Sequence, residues 1–167
     1  MKRILCIVLC VILVSFAGCN NAPTTNIPAQ TNFHYLTKEI AYHQEDGFIQ
    51  AENRNVDNTA DDLTAVINTY LNGPENNELI SPFPANTTVK GITHKNSIFS
   101  ITLSDQFSEL SGFELSVACA CLTLTVLEFV DANLVQISAE NMLLDGNRQI
   151  SMNADSLVTF DYVNLDP

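Results

Sequence analysis

Positive charge is scarce in this chain: seven Lys and Arg stand against nineteen Asp and Glu, for a formal net charge of −12. A surface of that sign repels phosphate backbones, anionic lipids and anionic wall polymers, so nucleic acid is not an expected partner. A basic protein patch or a cationic ligand suits it better, and export alone also accounts for an acidic surface. Histidine is sparse as well. His34, His43 and His94 are the three present, and no two share the i, i+4 spacing of a helical metal site. His34 and His43 lie an odd number of residues apart, so a regular strand faces them oppositely, and no metal site is expected. No Gly-x-Ser-x-Gly turn occurs, which removes that route to an activated serine. No internal repeat is visible, and the longest apolar run, Ile4 to Phe16, is too short to span a bilayer comfortably.

That run has another reading. Lys2 and Arg3 precede it and Ala17-Gly18-Cys19 closes it with small residues, the anatomy of a secretory signal over residues 1–18. Phe16-Ala17-Gly18-Cys19 looks like a bacterial lipobox, which makes Cys19 the expected site of lipidation and the new N-terminus. Two or more acyl chains there, at about 0.8 kcal/mol per buried methylene, would hold the protein at the outer face of the cytoplasmic membrane. Loss of Lys2 and Arg3 moves the net charge from −12 to −14. Residues 19–32 continue as an Asn-, Thr- and Pro-rich segment without charge, which reads as a flexible tether. Residues 33–167 suit one domain with a real core. Cys6 and Cys10 leave with the signal, so only Cys119 and Cys121 remain in the domain. On a helix their side chains diverge, so no disulfide framework is expected and both read as small buried hydrophobes.

Within the domain, Leu36 to Tyr42 suggests a strand, Gln44 to Gly47 a turn, and Phe48 to Val56 a returning strand. Thr59 with Asp62 forms a capping box. Leu63, Val66, Ile67, Tyr70 and Leu71 then follow at the spacing of a one-striped helix. Gly73 and Pro74 end it, the first as a left-handed cap and the second because it cannot continue a helix. Pro82 and Pro84 bias Ser81 and Phe83 toward extended backbone. Thr87–His94 and Ser97–Leu103 read as a hairpin about Lys95-Asn96. Ser111 and Glu114 give a second capping box before a run, Phe113 to Val130, that is apolar on nearly every side. Its length favours a helix over a strand, and such a helix must be covered on most sides. Leu134–Ala139 reads as a strand, Asp145-Gly146 as a turn, and Leu157–Val163 as a final strand.

This order and four stretches resemble the GerM domain of bacterial sporulation and spore-germination lipoproteins. The stretches are AYHQEDGFIQAENRNV, LNGPENNELISPFPANTTV, FSITLSDQF and LTLTVLEFVDANLVQIS. The residues that carry the likeness are Gly73, Pro74, Ser81, Pro82 and Pro84, then Leu103, Ser104 and Phe107. The resemblance implies an α+β fold: a two-layer α/β sandwich, with two helices on one face of a small mixed sheet, similar to ring-building motifs. It implies no catalytic residue and no cofactor. It also implies a membrane-anchored part that contacts envelope or sporulation proteins. A ligand-binding or signalling accessory of vegetative cells is the alternative.

The carboxylates have plainer readings than catalysis. Asp61 and Asp62 suit a helix start, where negative charge is favourable. Glu45, Asp46 and Glu52 read as solvated residues near a hairpin turn. Glu128 interrupts the apolar helix, and a solvent-facing place near the helix end is expected, since one carboxylate makes no acid–base pair.

Overall fold

The computed structural model describes residues 30–38, 48–56, 63–142 and 149–157. The signal, Cys19, His43, the Thr59/Asp62 box, the Gln44–Gly47 turn, Asp145-Gly146 and most of the expected last strand lie outside them. The first strand, β1, runs Gln30–Thr37 and pairs antiparallel with β2, Ile49–Asn55. It therefore begins inside the segment expected as tether. Thr31 is buried and Gln30 pairs with Asn55, so Gln30 to Asn32 belong to the sheet. The alternation is strict: Thr31, Phe33, Tyr35 and Thr37 are buried while the residues between them are not.

Helix α1, Leu63–Leu71, buries Val66, Ile67, Tyr70 and Leu71, the stripe read from the sequence. A two-residue strand, β3 (Leu79–Ile80), adds to the far end of β1 through Leu36 and Thr37. The hairpin β4 (Val89–Lys95) and β5 (Ile98–Leu103) turns through Asn96 and Ser97, one residue later than expected. Both turn residues have positive φ, 51° and 59°, the mirror-image turn that matches strand twist. A 3-10 turn, Asp105–Glu109, leads to helix α2, Gly112–Leu127. Strand β6, Leu134–Ala139, then lies parallel to β5, so α2 is the crossover that a parallel pair requires. Strand β7 (Ile150–Met152) and the short helix α3 (Ala154–Leu157) follow, which places Leu157 on a helical turn and not in a strand.

The strands form a three-stranded sheet, β2-β1-β3, and a four-stranded mixed sheet, β4-β5-β6-β7. Their inward residues and both main helices share one α+β core. The sheet divides at the second edge of β1. There the His34 N–H donates to Thr125 Oγ1 at 2.9 Å, and the Tyr70 hydroxyl donates to the His34 carbonyl at 2.8 Å. Side chains thus take the place of a neighbouring strand. Helix α2 touches β1 of one sheet and β6 and β7 of the other, which explains its all-round apolar character. The box expected at its start does not form. Ser111 makes no side-chain cap bond, and Gly112, at φ 55°, turns the chain just after it.

Candidate functional site

The residues singled out by resemblance converge on one seam. Tyr70 ends α1 inside the core, and Gly73 follows at φ 99° with its N–H on the Tyr70 carbonyl at 3.0 Å. A Cβ at Gly73 would lie 3.8 Å from Ser81 Cβ, so space is available and backbone conformation is the reason for glycine. Pro74 leads the chain away, and Ser81 Oγ accepts the Phe83 N–H at 3.2 Å, fixing the turn through Pro82. Phe83 is buried edge-on against Tyr70, with centroids 5.4 Å apart. The Pro84 carbonyl accepts both the N–H and the hydroxyl of Thr87.

The second group of singled-out residues meets the first in space. Leu103 and Phe107 are fully buried, and the Phe107 ring lies 6.3 Å from Phe83. Ser104 and Thr88 exchange two hydrogen bonds: Ser104 N–H to the Thr88 carbonyl at 2.8 Å, and Thr88 N–H to Ser104 Oγ at 3.0 Å.

A charged pair that sequence reasoning missed holds this seam to β2. The Arg54 guanidinium meets Glu52 Oε2 at 2.7 Å and donates from Nη2 to the Gly73 carbonyl at 2.7 Å. It lies over the rings of Phe33 and Tyr35, 5.4 and 5.8 Å from their centroids. Glu52 in turn accepts the backbone N–H groups of Glu75 and Asn76. The two side chains are 8% and 11% exposed, so Glu52 is a largely covered organiser of the loop and not a solvated turn residue. The only hint in the sequence was an Arg and a Glu two apart in a strand, on the same face.

Glu128 occupies the C-terminal cap of α2 at the surface, as expected. Its Oε1 lies 3.2 Å from His34 Nε2 and its Oε2 accepts from Asn32 at 3.4 Å. Asn53 extends the chain of bonds by donating to Asn32 Oδ1 at 3.1 Å. A surface polar ladder therefore ties α2 to β1 and β2. His94 lies apart from it, half-buried beside Phe99. Among the described residues, no group of three or more His, Cys, Asp or Glu is placed to hold a metal ion.

Cys119 and Cys121 are buried free thiols, and burial pushes both up to about 12, far from a reactive thiolate. Burial also raises Tyr35 and Tyr70 well above the ordinary phenol range, so both act as hydrogen-bond donors, Tyr35 to the Tyr70 carbonyl at 2.8 Å. The chemistry-bearing groups near the seam are thus committed to holding structure. What the surface offers instead is strand edge: β2, β3, β4 and β7 are outermost in their sheets among the described strands. Among the described residues no helix is long and apolar enough to cross a membrane.

Residues 26–145 match the Germane family, described as sporulation and spore germination. The structure is similar to the first GerMN domain of the sporulation protein GerM from Bacillus subtilis, with a TM-score of 0.53 and 16% identity over 75% of this chain and 96% of that one. It is also similar to the tandem GerMN domains of the same protein, with a TM-score of 0.55 and 20% identity over 78% of this chain and 47% of the tandem. This chain therefore spans about half of the tandem's length. At these identities the likeness establishes the fold alone. No curated protein matches the chain.

Proposed function

The chain belongs to the Germane family of sporulation and spore germination, and from that premise we propose that it is a lipid-anchored, non-enzymatic docking component of the bacterial envelope. The family match over residues 26–145 carries the reading. The commitment of Arg54, Glu52 and Glu128 to structural partners, and the burial of both cysteines, support docking over catalysis. Cys19 supplies the anchor. The ten residues 20–29 between it and β1 reach at most about 35 Å when extended, which keeps the domain close to the membrane surface. Its partners are envelope proteins that act in sporulation or germination.

In-cell crosslinking of the tagged full chain, compared between growing and sporulating cells, tests the role. Membrane partners captured specifically during sporulation are the expected result. Equal capture of a sensor or a wall component in growing cells would replace it with the signalling-accessory reading. Cys19→Ala tests the anchor: metabolic labelling of the protein with radioactive palmitate should be lost in the variant, and equal labelling refutes lipidation at Cys19.

A further inference from the structure

The acidic balance of the chain reverses across the middle of the domain. From Leu79 to Ser104 there is no Asp or Glu, although the chain holds nineteen, and the same stretch carries Lys90, His94 and Lys95. All three lie on β4, and β4 is the outermost strand of its sheet among the described strands. Lys90 and Lys95 are exposed, and neither has an ion-pair partner among the described residues.

The backbone of β4 is arranged to match. Asn96 and Ser97 form a two-residue turn, which makes Lys95 and Ile98 a mutually hydrogen-bonded pair. Alternate residues then turn the other way, so Ile92 and His94 direct their N–H and C=O groups off the sheet. At the other end of the strand this edge closes. The register shifts between Val89 and Gly91, and the Val89 N–H is taken by Asn68 Oδ1 at 2.9 Å. The open seat is therefore Gly91 to Lys95, bracketed by one lysine just before it and one at its end.

Lysines on an edge strand discourage pairing with a second copy, because antiparallel β4 strands would bring Lys90, His94 and Lys95 against one another. That role explains the lysines but not the lack of any carboxylate across the hairpin. A complementary charge explains both. An anionic polymer would be repelled by the rest of the molecule and offers no ladder of amides, whereas an extended peptide supplies both ladder and carboxylates.

We propose that the Gly91–Lys95 edge of β4 receives an extended acidic segment of a partner protein by strand addition. Ile92 and His94 make the backbone ladder, and Lys90 and Lys95 face the segment's carboxylates. This rests on the docking reading above and names the chemistry of its partner.

A random short-peptide display library selected on the immobilised protein tests it. Enriched peptides should be rich in Asp and Glu alternating with β-branched residues. The synthesised peptide should protect the Ile92 and His94 amides from hydrogen exchange. Its affinity should fall about tenfold or more for the Lys90→Glu/Lys95→Glu variant, in keeping with the loss of close charge pairs. Lys90→Ala/Lys95→Ala serves as a second variant should charge reversal disturb folding. Failure to enrich any peptide, enrichment of neutral or basic peptides, or protection elsewhere overturns the proposal. So does equal protection of those amides by inorganic polyphosphate, which would mark a polyanion patch. If these fail while in-cell crosslinks to envelope proteins persist, the edge is wrong and docking stands; if the crosslinks are absent, docking itself fails.

Discussion

Replacing Arg54 with Ala removes the guanidinium from the Glu52 carboxylate, the Gly73 carbonyl and the faces of Phe33 and Tyr35 in one step. Deleting one partner of a buried ion pair costs about 3–5 kcal/mol, because the other charge remains out of water. Glu52 keeps two backbone N–H donors and is 11% exposed, so the low end applies, about 3 kcal/mol. With a urea m-value of about 2 kcal/mol/M, the midpoint should fall by about 1.5 M, read by circular dichroism. The third nearby charge serves as a control. Glu75 is 3.9 Å from Arg54 and 81% exposed, so Glu75→Ala should leave the midpoint almost unchanged. The double change Arg54→Met/Glu52→Gln removes both charges and should be less damaging than Arg54→Ala. An Arg54→Ala midpoint within about 0.3 M of the parent would refute the reasoning, since it would leave the pair no more important than an exposed one.

Three further outcomes follow from particular groups. Both cysteine thiols are raised to about 12 in the fold, so the folded state resists losing protons that the unfolded chain releases from about pH 8.5 upward. Stability should be full below that pH and fall as pH rises toward 12, and the Cys119→Ala/Cys121→Ala chain should show a flatter urea-midpoint profile. Thr123 Oγ1 is buried without a hydrogen-bond partner among the described residues, so Thr123→Val should stabilise the protein by about 1 kcal/mol in thermal melts, whereas destabilisation would refute that reading. Ser97 sits at φ 59°, and Ser97→Gly should raise the melting temperature, equivalent to about 0.5–1 kcal/mol, because glycine adopts that conformation without strain.

The parts of the fold that were legible are those whose cause is local. The α1 stripe follows a 3.6-residue period, and Phe99, Ile101 and Leu103 follow a two-residue one, so each appears in the sequence as a pattern. Gly73-Pro74 was equally plain, since its restriction lies in its own backbone. What stayed hidden depends on distant residues. β3 is two residues long and exists because Leu36 and Thr37 offer it an edge. The division into two sheets depends on Thr125 and Tyr70 reaching His34 from different helices. Arg54 sits in a strand that reads as polar, and its destination was set by aromatic rings on β1 and a carbonyl beyond α1. The β4 edge is half visible: its lysines and the absence of acid stand in the sequence, but its position as an outer strand does not.

The placement of Arg54 also bears on mechanics. Any load on the chain ahead of Gln30 is applied at the open end of the β1–β2 pair, where Gln30 faces Asn55 and Thr31 faces Arg54. Hairpins pulled from an open end tear rung by rung, the geometry of least resistance. Here the second rung is the one whose side chain is bolted, through Gly73 and Glu52, to the loop beyond α1. A tug that passes Gln30 must break that bolt before it can peel further, so the domain should bear tension at its second rung and fail abruptly there.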